Sequence, residues 1–204
     1  MIPKQRLVLG SDNTEKRVTT MNKNTSTFTI NKGMTSRYDK TLSFIQKHLP
    51  KEKRVLDLGI PNPFSDIMKE KGYEVFNTQG EDLDLQPEVV KQYEGIGFVT
   101  ALEICEHLIN PMGVLSQLPC DKLIASIPLS LWFAKAYRSK TDPWDRHFHE
   151  FEDWQFDWLL EKSGWNVIDS EKWTSPTGQI GIRPILRKFT PRYYIVYAER
   201  HQKL

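Results

Sequence analysis

The sequence predicts an α/β fold, a mostly parallel sheet with helices packed on its faces. Two stretches predict it: a strand-turn-helix signal at Arg54-Val55-Leu56-Asp57-Leu58-Gly59-Ile60-Pro61-Asn62-Pro63, and Glu103-Ile104-Cys105-Glu106-His107-Leu108 about forty residues on. In the first, β-branched and leucyl residues make a short buried strand, Asp57 stands at its carboxyl end, and Gly59 lets the backbone pass close to a ligand. In open α/β sheets, ligands bind at that end of the strands. A dinucleotide fingerprint needs G-x-G-x-x-G so that bare backbone can approach a pyrophosphate. Here Gly59 stands alone, with Pro61 and Pro63 in the same loop, so pyrophosphate binding is not expected.

The elements follow in order. Residues 1 to 34 are rich in Thr, Asn, Ser and Lys and read as a polar N-terminal arm, in which Thr25–Ile30 alternates weakly as an edge strand would. Tyr38, Leu42, Phe44, Ile45 and Leu49 are spaced as on a helix, and Pro50 ends it. After the Arg54 strand, Asn62 is the expected N-cap and Pro63 the first helical residue, where a missing N–H costs nothing. That helix runs to Gly72, a C-terminal stop. Tyr73–Asn77 reads as the second strand and Gly97–Ala101 as the strand that delivers the Glu103 motif. Only about two dozen residues lie between Gly72 and Gly97. A parallel crossover alone takes a dozen or more, so after the second strand one helix near Pro87–Tyr93 is expected there and no third strand. Asn110-Pro111 opens a short helix to Leu118, Lys122–Pro128 is the next buried strand, and residues 129–150 form a long aromatic and charged connection. A capped helix over Glu152–Ser163 stops at Gly164. Trp165–Ser170 and Tyr193–Ala198 are the last strands.

Composition narrows the function. The 204 residues suit one domain over 35–204, and 28 basic against 26 acidic residues give a net charge of +2, too balanced for obligatory binding to a long nucleic acid. No apolar run is long enough for a bilayer and no signal-peptide pattern opens the chain, so no membrane partner and a cytoplasmic location are expected. Cys105 and Cys120 are too few for a disulfide framework and read as reduced, buried fillers.

Strand-Asp-x-Gly followed by a helix, and later Glu103-(x)3-His107-Leu108, resembles the class I S-adenosylmethionine-dependent methyltransferases of the small-molecule type, over about residues 50 to 200. The resemblance implies a Rossmann-like sheet with helices on both faces, an antiparallel closing strand, and here a missing third (edge) strand, whose place the arm near Phe28 would cover. It implies S-adenosylmethionine as cofactor, lined by Asp57, Leu58, Gly59, Ile60, Asn77, Asp82, Leu102 and Glu103. Asp57 is expected under the methionine end. Asn77 takes the place of the acid that usually grips the ribose, and Glu81, Asp82 and Asp84 are the carboxylates that can stand in for it. The family pattern is closer to Asp-x-Gly-x-Gly-x-Gly, so Pro61 and Pro63 depart from it and stiffen the loop.

Methyl transfer is an in-line displacement that asks the protein mainly to align two reactants. The residues expected to meet the acceptor are His107, in the turn after the Glu103 strand, and His147 and His149, in His147-Phe148-His149-Glu150. Each is a candidate base, with hydrogen-bonding in the turn as the structural alternative for His107. Alternation on an extended segment gives His147 and His149 too few facing ligands for a metal, so none is expected. The expected partner is a small-molecule acceptor, taking the methyl on oxygen or nitrogen. The rival is a binding or regulatory protein that kept the scaffold while Pro61, Pro63 and Asn77 weakened its cofactor site.

Overall fold

The computed structural model describes residues 32–51, 53–176 and 179–201. Six strands form one sheet in the order β2-β1-β3-β4-β6-β5. They are β1 (Arg54–Asp57), β2 (Glu74–Asn77), β3 (Phe98–Leu102), β4 (Lys122–Pro128), β5 (Trp165–Thr174) and β6 (Pro191–Arg200). The first four run parallel, and β6 is antiparallel to both β4 and β5. The expected closing pair is thus present, with each strand longer than its apolar run. Among its added residues Trp173 is buried in the core, and the others are polar or half-exposed.

Among the described residues the sheet has no strand beyond β2. Between Gly72 and Gly97 the chain makes only β2 and a 3-10 turn at Pro87–Gln92. The turn buries Val90, and Tyr93 Oη donates to the Asn77 carbonyl at 3.0 Å, so this segment closes over the sheet's end where another strand would have paired. The part of the arm near Phe28, expected to cover that edge, lies outside the described residues, and the arm's last residues, 32–34, belong to a helix.

Side-chain alternation divides the core in two, as a period of 2 requires. Val55, Phe98, Ile124, Ile195 and Tyr197 face α1 (Lys32–His48) and α2 (Pro63–Glu70), whose Phe44, Ile45, Phe64 and Met68 complete one cluster. Leu56, Val99, Leu123, Ala125 and Val196 face the other way, toward α3 (Pro111–Leu115) and α4 (Asp153–Lys162) with Leu115, Phe156 and Leu160. Trp165 is fully buried on this side, and its indole N–H donates to the Leu115 carbonyl at 2.9 Å. A further helix, α5 (Ile182–Phe189), has no sequence expectation behind it and buries none of its residues.

Helix α2 starts as its sequence dictates. Asn62 Oδ1 accepts from the Phe64 and Ser65 N–H groups at 2.9 and 3.1 Å, and Ser65 Oγ accepts from Asn62 N–H at 3.3 Å. Pro63 holds the first position, and Gly72 takes φ +94° just past the end.

Candidate active site

The carboxyl ends of β1, β3 and β4 open on one side of the sheet, and Asp57 lies beneath that opening. Its register partner across β3 is Thr100, whose hydroxyl donates to Oδ1 at 2.7 Å. Oδ2 accepts from Ser65 Oγ at 2.9 Å, Asn77 Nδ2 at 3.1 Å and Asn62 Nδ2 at 3.3 Å. Only 2% of Asp57 is exposed. Burial raises its pKa above the usual carboxylate value, against the pull of those four donors. These hydrogen bonds within the protein make Asp57 the hub that fixes the loop.

That loop carries Gly59 at φ +106°, and its N–H donates to Thr78 Oγ1 at 2.8 Å. A Cβ there would meet Ile104 Cδ1 at 3.9 Å, so the turn abuts the Glu103–His107 segment. Leu58 is buried in the core and presents backbone only, Leu102 is half-buried, and Ile60 is exposed. The exposed apolar side chains Ile60, Leu85 and Ile109 stand on the loops that leave β1, β2 and β3.

Asn77 differs from its expected role. It is buried, and its amide is spent on Asp57 and Ser65, because it pairs in register with Asp57 and faces inward. The polar side chains that stand out beyond β2 are Gln79, exposed, and Glu81, whose Oε2 accepts from Gln79 N–H at 2.6 Å. Asp82 closes a turn by accepting from Asp84 N–H at 3.0 Å. Asp84 clasps the next loop, accepting from the Ile109 and Asn110 N–H groups at 2.8 and 2.7 Å.

Glu103 follows β3 with φ +54°, the non-glycine positive φ among the described residues. Its Oε1 accepts from Ser126 Oγ at 2.9 Å and its Oε2 from Arg37 Nη1 at 3.4 Å. Burial raises its pKa, opposed by the Arg37 charge. Glu106 is 1% exposed, its Oε2 has no hydrogen-bond partner, and its pKa stands well above the usual value through burial and the neighbouring Glu103 charge. Cys105 is buried in the core, where burial first and the two adjacent carboxylates next push its thiol up, so it is no nucleophile.

The connection after β4 folds back on this turn. Phe148 and His149 N–H groups donate to the Glu106 carbonyl at 2.7 and 3.3 Å. His107 Nδ1 donates to the Arg146 carbonyl at 3.1 Å, and the His107 and His147 rings meet edge-on with centroids 4.7 Å apart. Burial and the His107 charge lower the His147 pKa. His149 points elsewhere in the same wall: its Nε2 donates to the Ile109 carbonyl at 3.2 Å and its ring stacks on Phe151 at 5.2 Å. Behind His147 lies a cavity of about 440 Å³ lined by Tyr137, Arg138, Ser139, Lys140, Arg146, His147 and Phe148.

The motifs and the resemblance they carry point to Asp57, Gly59, Glu103 and His107, but not to Thr100, Ser126, Arg37 or Glu106. The first three come from other elements and meet the site only through strand register and helix packing. Glu106 was in view within the motif, and its one signal was a carboxylate flanked by Cys105 and His107.

Neither a family model nor a curated protein matches the chain. Solved structures do. A S-adenosylmethionine-dependent methyltransferase from Archaeoglobus fulgidus aligns over 80% of this chain and 94% of its own at 17% identity and a TM-score of 0.54. One from Methanosarcina mazei aligns over 78% and 98% at 12% identity, TM-score 0.55. The magnesium protoporphyrin IX methyltransferase of Synechocystis PCC 6803, with S-adenosylhomocysteine bound, aligns over 82% and 83% at 15% identity, TM-score 0.52. The fold is that of the class I S-adenosylmethionine-dependent methyltransferases. Among the described residues no helix is long and apolar enough to cross a membrane.

Proposed function

We propose that this chain is a methyltransferase that uses S-adenosylmethionine to methylate an oxygen or nitrogen of a small, polar acceptor. The observation that carries this reading is the approach of the Gly59 turn to Ile104, which brings the backbone of the loop after β1 against the segment that leads from β3 to His107. The residues fit the cofactor. Gly59 leaves a cradle without a Cβ, Ile60, Leu85 and Ile109 offer apolar surface for a flat ring, and Gln79 and Glu81 offer acceptors for ribose hydroxyls in place of the inward-facing Asn77. When bound, the cofactor supplies an electrophilic sulfonium methyl.

The chain's own part is alignment and proton handling. Asp57 fixes the loop through Asn62 and Ser65. The cavity beside His147 suits the acceptor: three cations, Arg138, Lys140 and Arg146, line it, and its volume of about 440 Å³ lies in the small-molecule range. Of the three histidines His147 lines it, and the His107 ring meets His147 edge-on from beside it. His147, whose pKa is lowered by burial and the His107 charge, is the base for the acceptor's proton, and His149, its Nε2 held by the Ile109 carbonyl, is the other candidate.

Pro61, Pro63 and the spent Asn77 favour the second reading, a scaffold that binds without transferring. Calorimetric titration with S-adenosylhomocysteine decides. The methyltransferase reading expects one site per chain, lost in Gly59→Val. An absence of heat up to millimolar ligand overturns it.

A further inference from the structure

We propose that Glu106, His107 and His147 bind a divalent transition-metal ion at the acceptor side of the site. One ligand atom from each lies within 4.8 Å of the others. The independent observation is Glu106 Oε2, a carboxylate oxygen in a side chain 1% exposed and without any hydrogen-bond partner. A buried carboxylate oxygen is costly to leave without a partner, and a cation is a partner that suits it.

The two imidazoles are oriented as metal ligands are. A carbonyl only accepts, so the contact of His107 Nδ1 with Arg146 O at 3.1 Å places the proton on Nδ1 and leaves the Nε2 lone pair free, 3.8 Å from Glu106 Oε1. His147 Nδ1 lies 3.5 Å from Glu150 Oε1, at ion-pair distance, where the carboxylate can steer the ring as outer partners of ligating histidines do. Glu150 is itself held by the Tyr137 N–H at 2.8 Å. The segment bearing His147 cannot drift from Glu106, because Phe148 and His149 donate their N–H groups to the Glu106 carbonyl. Donors at about 2.1 Å from a shared ion stand roughly 3.3 Å apart. The widest pair therefore closes by an ångström or so, within reach of an imidazole rotation.

Two neutral imidazoles and one carboxylate are a donor set for zinc, manganese, iron(II) or cobalt rather than for magnesium or calcium, which prefer oxygen. Three protein ligands leave a coordination position for water or for an oxygen of the acceptor. This assignment deepens the methyltransferase reading and rests on it for that last role. It makes His107 and His147 ligands, leaves His149 as the base, and favours a hydroxyl-bearing acceptor.

The test uses the full chain, stripped with chelator and dialysed. It is titrated with Zn²⁺ and Mn²⁺ by calorimetry and with Co²⁺ by visible absorption. Binding of one ion per chain is expected, weakened about 100-fold or more in His147→Gln and about 10–100-fold in Glu150→Gln, the loss typical of an outer hydrogen-bond partner. His48→Gln and His201→Gln should bind as the parent does. Glu106→Gln is included, and thermal melts check that each variant is folded; His147, on a surface connection, keeps the test informative if Glu106→Gln is not. An absence of stoichiometric binding, or binding equal in the parent and His147→Gln, overturns the site. S-adenosylhomocysteine titrated into the same samples separates the two ideas: cofactor heat without metal binding sinks only the metal site, and metal binding without cofactor heat sinks only the methyltransferase reading.

Discussion

Asp57 ties three elements to one carboxylate: Thr100 from β3, Ser65 and Asn62 from the start of α2, and Asn77 from β2. Asp57→Ala strands those donors in a buried place, and should cost about 2–4 kcal/mol in denaturant unfolding. The loss should depend on pH. Because burial raises the folded-state pKa, the folded protein holds a proton that the unfolded chain has already released. Asp57's contribution is therefore greatest below the unfolded carboxylate pKa and declines as pH climbs to the folded value. The stability gap between parent and Asp57→Ala should narrow from acid toward neutral pH; a gap that widens would show the carboxylate to be stabilised in its charged form. At Gly59 the constraint is conformational. A Cβ meets Ile104 at an ordinary 3.9 Å, so Gly59→Ala suffers little clash and mainly the strain of φ +106°. It should lose about 1–2 kcal/mol of stability and weaken S-adenosylhomocysteine binding as the loop shifts. Equal affinity in calorimetry would detach the loop from the ligand.

Element by element, what could be read ahead was what is local. The α2 start was legible because Asn62, Pro63 and Ser65 cap it within four residues, and the missing strand because a chain of fixed reach cannot make another crossover between Gly72 and Gly97. The inward turn of Asn77 was not legible, since it follows from register with Asp57, twenty residues away. Nor was α5, where Pro184 and a short run obscure the helical spacing and no core contact reinforces it. These differences carry energies. Trp165→Ala removes a fully buried ring and its bond to Leu115, and should cost about 3–5 kcal/mol. Ile185 lies exposed on α5, so Ile185→Lys should change stability by less than about 0.5 kcal/mol. A large loss from Ile185→Lys in urea unfolding would mean that Ile185 itself is buried where α5 lies against β5 and β6.

At the scale of the molecule, two apolar clusters lie on opposite faces of one sheet, and the candidate site sits where the strands between them end. The Gly59 loop is pinned to α2 on one side and to Thr78, beyond β2, on the other, while Ile104 continues from β3. A ligand seated on this loop therefore bridges groups that must separate when the sheet opens, so it should stabilise the whole folding unit rather than one corner of it. At a hundred times its dissociation constant, a ligand that binds only the folded state adds about 2.7 kcal/mol. A domain of 150–250 residues gains about 2–4 °C per kcal/mol. S-adenosylhomocysteine at that concentration should therefore raise the melting temperature by about 5–11 °C. The shift should be absent in Gly59→Val, whose side chain fills the cradle, and ATP at equal concentration should give none, because a single glycine and two prolines leave too little bare backbone for polyphosphate. Equal shifts with both nucleosides, or a shift that survives Gly59→Val, would place the ligand away from the Gly59 loop.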